Sequence, residues 1–327
     1  MQKKIVRLVL ACVAAACLPA GALAAKYNLK LGHAVNTTDG QHAAAVKMAE
    51  LVKQRSNGEV EITVFPSSTL GTDAAMISGA RGGAIDIVSS GASNYNGIVP
   101  ATAAFELPFV FRNAQHAYAV LDGPIGTKVL DDFGAQRLKG LAYWENGWRA
   151  FTNGKRPVRT PEDLKGLKIR STPNPYHIQA FKLLGMNPSP LAIAELYSAL
   201  ETGAFDAQEH PINVTLSNKF YEVQKYLTVS NHIYSPLILV MNKARFDSLP
   251  PEYQNVVVEA AREASRYQRE LNASNAGKWV DELRKAGMQV VDKVDMAPFQ
   301  KIVSEPIART FSEKLGPDLL KAIENTQ

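Results

Sequence analysis

Residues 166–170 read GLKIR and residues 207–211 read AQEHP, and the reading of this pair decides the fold. In the first, Leu167 and Ile169 alternate with Lys168 and Arg170, the period-two pattern of a half-buried strand. Pro173 and Pro175 stop that strand, which leaves Arg170 near its C-terminal end. Ligands of open α/β sheets gather outside the carboxyl ends of the strands. A guanidinium there offers a planar fork that matches a carboxylate through two parallel bonds. On spacing alone, a surface ion pair is the commoner reading of such an arginine. Two helices separate the quoted pieces, 176–184 stopped at Gly185 and 194–202 stopped at Gly203, and the strand FDAQE then leads to His210.

Outward from this point the chain reads as two α/β lobes. Tyr27, Leu29 and Leu31 alternate into a first strand, residues 41–56 form an amphipathic helix, and Val60, Ile62 and Val64 form a second strand. Thr72 can cap a helix over 73–81, and AIDIVS is a third strand. That β-α-β-α-β order is the signature of a parallel sheet. Residues 89–111, from SSGASNY to FELPFVF, read as a loop and a core plug. Asn113 caps a helix through Leu121, residues 138–145 form a strand, and the chain leaves the first lobe at Asn146-Gly147. Thr160-Pro161-Glu162-Asp163 is a helix-start signature. Two strands fall within 226–242 and return the chain to the first lobe. A helix from Pro250-Pro251 to about Ala286 would span roughly 50 Å at 1.5 Å per residue, longer than one lobe, so it is expected to bridge both. Gly277 is the place for a kink. AGMQVVD is a last strand before two terminal helices. The expected division is 25–146 with 235–275 for the first lobe, and 147–234 with 276–327 for the second.

Residues 1–24 have the form of a cleavable export signal. Lys3, Lys4 and Arg7 precede an apolar run, and Ala22-Leu23-Ala24 is a small-x-small site; the run is too short for a membrane span. Mature protein beginning at Ala25 in the periplasm is expected. Losing the three positive side chains of the leader lowers the formal charge of +5 to +2, so the basic balance does not point to nucleic acid. Both cysteines, Cys12 and Cys17, fall in the leader, which excludes disulfides and thiolate chemistry from the mature chain. The apolar fraction of 46% and charged fraction of 20% are those of a globular protein. The chain has no phosphate-binding glycine loop, dinucleotide fingerprint, H-E-x-x-H pair, EF-hand loop or G-x-S-x-G elbow. Its six histidines show no metal-ligand spacing. Binding is therefore expected rather than catalysis, with no cofactor and no metal.

The segments TPEDLKGLKIR, LGMNPSPLAIAELYSALETGAFDAQEHP and NKFYEVQKYLTVSNHIYSP resemble the solute-binding subunits of tripartite ATP-independent periplasmic (TRAP) transporters, and the resemblance extends over residues 26–325. It implies a two-lobed α/β periplasmic-binding-protein-like fold with a hinge, a ligand cleft and a long helix spanning both lobes. It also implies an organic acid ligand, a membrane permease as partner, and delivery of the acid to it. A monomer is expected. On this resemblance Arg170 pairs with the ligand carboxylate and Arg149 assists it. His210 stands where the family usually has an asparagine donor, and Ile193 where an aromatic is common. Trp148 either packs on the ligand or anchors the hinge. Asp73, Ser89 and Asn36 complete the candidate set. The two departures leave open a hydroxy or sugar acid, or a C4-dicarboxylate. A periplasmic subunit that presents its ligand to a sensory receptor is the alternative role. An exported enzyme would have only His210 with Glu209 to work with.

Overall fold

The computed structural model describes residues 25–327; the expected export signal lies outside the described residues. In chain order the strands are β1 Tyr27–Gly32, β2 Val60–Phe65, β3 Ile87–Gly91, β4 Leu138–Asn153, β5 Lys168–Ser171, β6 Asn187–Pro190, β7 Ala207–Pro211, β8 Tyr226–Thr228, β9 Tyr234–Asn242 and β10 Gln289–Val291. The helices are α1 Gly40–Arg55, α2 Asp73–Gly82, α3 Ala114–Asp122, α4 Pro124–Asp132, α5 Pro175–Leu183, α6 Ile193–Glu201, α7 Ile212–Ser217, α8 Lys243–Asp247, α9 Pro251–Lys285, α10 Ala297–Leu315 and α11 Asp318–Asn325. The strands run β2-β1-β3-β9-β4-β7-β5-β6, with β8 on β4 and β10 on β8.

β4 is common to both lobes. Leu138 to Trp148 pair with β9 in the first lobe. From Arg149 the same strand pairs with β7, and from Phe151 also with β8, in the second. The sequence reading ended this strand at Glu145 because Asn146-Gly147 looks like a turn. In fact the ladder with β9 shifts register between Glu145 and Gly147, and Gly147 takes a φ of 125°, which a glycine adopts without steric cost. The glycine makes a bulge, so the strand bends and continues. β6 also escaped the sequence reading. Its NPSP sequence holds two prolines, and it lies at the sheet's edge, where missing N–H groups cost little.

The helix starts follow their capping residues. The Thr72 hydroxyl accepts from Ala75 N, and the Asn113 and Asn174 side chains accept from His116 N and Tyr176 N. The 35 residues of α9 run unbroken through Gly277, where an added Cβ would meet nothing within 4 Å. Early in α9 the Ala261 carbonyl accepts from the Trp144 indole at 2.9 Å. Late in it, Leu283 packs with Ala150 and Leu227. The helix therefore holds the two halves of β4 and spans both lobes. The first-lobe core joins Leu29, Leu31, Met48, Trp144, Leu239 and Val257 between sheet and helices, each full burial contributing about 1.5–3 kcal/mol. The terminal helices touch both lobes rather than the second alone. α10 packs on α5, while the His116 ring lies 2.8 Å from the Ile323 carbonyl and the Arg112 guanidinium donates to the Glu324 and Thr326 carbonyls. No helix among the described residues is long and apolar enough to cross a membrane.

Candidate functional site

A cavity of about 280 Å³ lies between the lobes, walled by segments that follow the C-terminal ends of parallel strands. From the first lobe come Ala34 and Val35 after β1, Asp73 at the start of α2, and Ser90 at the end of β3, followed by Asn94 and Glu106. From the second come Arg170 of β5, Thr172, Leu191 to Ile193 at the start of α6, and His210 of β7. The strand pairs β1–β2, β1–β3 and β5–β6 are parallel, so the site sits where the topology of such sheets leaves a crevice.

Arg170 is 4% exposed. Its Nε donates to the Leu191 carbonyl at 2.8 Å, and its Nη1 lies 3.1 Å from His210 Nε2. Among the described residues, no carboxylate lies within ion-pair distance of it and Nη2 has no protein acceptor. Burial, and then the nearby Arg149 charge, pull its pKa down to about 10, so it remains cationic at neutral pH. Glu209 and Asp73 act on it only from beyond contact; a buried cation without a carboxylate in contact is costly, and this one faces an open cavity.

His210 is a support for this group. Arginine only donates, so His210 Nε2 must accept from Nη1, and the proton sits on Nδ1 and is donated to Gln208 Oε1. Both nitrogens are thereby spent on protein. Burial, then Arg149 and Arg170, hold its pKa well below the ordinary imidazole range. The expected hydrogen-bond donor to the ligand is replaced by a neutral acceptor that orients Arg170, while the ring edge still lines the cavity.

Arg149 has a different partner from the expected one. It is 1% exposed, its Nε donates to Glu209 Oε2, and its Nη2 reaches Glu209 Oε1 at 2.7 Å. Nη1 lies 3.4 Å from Ser235 Oγ. Burial pulls its pKa down, but Glu209 outweighs that and the net shift is upward. The guanidinium borders the cavity with its fork already filled.

The remaining candidates separate cleanly. Asp73 lines the cavity, and its Oδ1 accepts from the Ser90 hydroxyl at 2.6 Å. Ile193 lines it as well. Ser89 does not: it is fully buried, and its hydroxyl accepts from the Gln41 amide at 2.9 Å. Alternation along β3 turns Ser89 away and presents Ser90. Asn36 lies outside the cavity and donates across the lobes to the Ser217 carbonyl; Asp39 beside it accepts from Ser217 Oγ at 3.0 Å. Trp148 packs edge-on against Tyr234, with centroids 5.4 Å apart, and borders another cavity of about 390 Å³ near Trp279 and α9.

Among the lining groups that escaped the sequence reading are Glu106 and Asn94. Glu106 is 1% exposed and accepts from Ser93 Oγ and, at 2.5 Å, from Ser235 Oγ. Burial drives its pKa upward against the opposing pull of Arg149 and both hydroxyls. A lone carboxylate inside the apolar run AAFELPFVF was the available signal. Asn94 donates to Ser90 Oγ at 2.9 Å, four residues along in the segment read only as loop.

The buried histidines give the fold an acid limit. Burial and His42 lower His33 to about 4, and burial and Arg149 lower His177 to about 3. The unfolded chain titrates these rings near ~6.5. Between that value and the folded one, the unfolded state binds more protons, so stability falls as pH drops. The raised pKa values of Asp39 and Glu106 oppose this in acid, because their burial penalty is relieved on protonation. The expected result is a lower urea midpoint at pH 5 than at pH 7.5, with a smaller drop in His177→Gln. Equal drops in the two proteins would remove His177 from the explanation.

Comparison with known proteins agrees with this architecture. Residues 31–314 match the family model for DctP, bacterial extracellular solute-binding protein, family 7. The chain is 46% identical over 305 residues to the 2,3-diketo-L-gulonate-binding periplasmic protein of Escherichia coli, covering 93% of each. A TRAP periplasmic solute-binding protein of Polaromonas, solved bound to D-erythronate, superposes with a TM-score of 0.90 at 36% identity, over 92% of this chain and 99% of that one. Another, from Sulfurospirillum deleyianum with bound succinate, gives 0.88 at 30% identity, over 93% and 100%. Two lobes sharing β4, a cleft at the strand ends and this match along the chain make it a member of the DctP family of TRAP transporter solute-binding proteins.

Proposed function

We propose that this protein captures a small organic acid in the periplasm, holds its carboxylate on Arg170, and delivers it as a monomer to a TRAP membrane permease. The observation that carries the reading is the Arg170 guanidinium, buried beside the cavity with Nη2 unused. A ligand carboxylate there supplies the missing counter-charge and completes a charge-assisted fork. Arg149 and Glu209 form a neutral floor behind it, and His210 and the Leu191 carbonyl fix the fork before the ligand arrives, which lowers the ordering cost of binding. The family is one of binding proteins rather than enzymes, and the relatives above carry erythronate, succinate or diketogulonate in their names.

The interlobe contacts describe a closed form. Asn36 and Asp39 reach Ser217, and the His177 ring lies 2.7 Å from the Glu106 carbonyl. A ligand enclosed by both lobes then stabilises the fold by mass action. The expected result is a rise in thermal midpoint with small hydroxy acids, corresponding to ~2.7 kcal/mol at a hundred times the dissociation constant. The corresponding amides or neutral polyols, which lack the carboxylate, are expected to give no shift. A polyol shift equal to that of its acid would overturn the reading.

A further inference from the structure

We infer that the cleft accepts an acid with a single carboxylate and a hydroxylated tail, and that Asp73, with Glu106, turns away a second carboxylate. This rests on Arg170 holding the first.

The cations come first. Two arginines border the cavity, and Arg149 is spent on Glu209 through Nε and Nη2. His210 presents an acceptor to Arg170 and donates to Gln208, so it offers a second carboxylate no positive charge. One unfilled fork remains, and it fits one carboxylate.

The anions are on the other side of the balance. Asp73 and Glu106 border the same cavity from the first lobe. Both Glu106 oxygens are taken by Ser93 and Ser235. Asp73 Oδ1 is taken by Ser90, while no other side chain among the described residues bonds this carboxylate. It is an acceptor waiting for a donor. A tail hydroxyl supplies one. A second ligand carboxylate supplies only acceptors, and in a closed site of low dielectric it meets like charge. The lining also holds Asn94, whose amide donates to Ser90 at 2.9 Å and whose oxygen has no partner among the described residues, and Asn146, 3.3 Å from Ser235. Such neutral groups pair with hydroxyls in either direction. Discrimination thus comes from a repulsive element as much as from an attractive one.

Two ligand pairs isolate the second charge, because each differs only in the oxidation of the terminal carbon: D-erythronate against meso-tartrate, and galactonate against galactarate. The test is calorimetry of the full mature protein at pH 7.5 with all four. Expected is saturable binding of at least one monocarboxylate, with its dicarboxylate partner weaker by about a hundredfold, a like-charge penalty of the usual size. Asp73→Asn keeps the side-chain shape and is expected to shrink that ratio below about tenfold, by tightening the dicarboxylate and weakening the monocarboxylate. Glu106→Gln is expected to act in the same direction. Equal affinity within a pair, an unchanged ratio in both variants, or binding of neither monocarboxylate would overturn the inference. Arg170→Ala separates the failures. If it abolishes binding while dicarboxylates bind wild type as tightly, only the exclusion is wrong. If it leaves binding intact, the clamp itself is wrong.

Discussion

Arg170→Ala is expected to weaken acid binding by about 2–5 kcal/mol, because the ligand carboxylate is left buried without its charge partner. Calorimetry with D-erythronate or galactonate reads the loss directly. Arg170→Lys is expected to recover only part of it. An ammonium is a point charge and cannot bond the Leu191 carbonyl, His210 and the ligand in the fixed fork of a guanidinium. The unliganded protein provides an internal control of opposite sign. Arg170 is a buried cation with no carboxylate partner, so its removal relieves a desolvation cost. The alanine variant without ligand is therefore expected to melt no lower than wild type. Lost binding together with a large loss of stability would instead indicate a structural arginine.

The second large effect falls on the neighbouring arginine and has the reverse profile. Glu209 is fully buried and is the carboxylate partner of Arg149. Glu209→Ala leaves Arg149 charged, desolvated and close to Arg170. The expected cost is about 3–5 kcal/mol of folding stability, measured as a fall in urea midpoint at unchanged slope. Replacing both members by methionine is expected to recover most of that, since an apolar pair of similar volume avoids the buried charges altogether. If Glu209→Ala proved neutral, the pair would not be the structural floor assigned to it. On the proposed reading the two arginines divide binding and folding: one has an empty fork and the other a full one.

This division could not be read from the sequence. Both arginines sit at comparable places, Arg149 where one sheet hands over to another and Arg170 at a strand end, and resemblance assigned both to the ligand. What separates them is Glu209, sixty residues beyond Arg149 and brought alongside by the β4–β7 pairing. Long-range pairings of this kind leave no local trace. His210 lines the cavity, but its role depends on which nitrogen faces Arg170. The Ser89 expectation failed by one residue because strand parity was not anchored, and a shift of one position exchanges the two faces. The parallel-sheet pattern, the caps at Thr72 and Asn113, and the long helix were legible because each rests on local chemistry. The continuity of β4 was not, since a bulge imitates a turn in sequence.

That bulged strand is also expected to set how the molecule moves. In mechanical language, β4 is a torsion bar shared by two plates, with its compliant point near Gly147, and α9 is a stiff strut lying across the same joint. A bar and a strut together remove most relative motions of the plates and leave essentially one, a twist about the bar. Opening and closing then follow a single angle, and reclosure needs no search among alternative arrangements. Distances between spin labels placed at many sites on the two lobes should vary together as functions of that angle, whichever pair is measured.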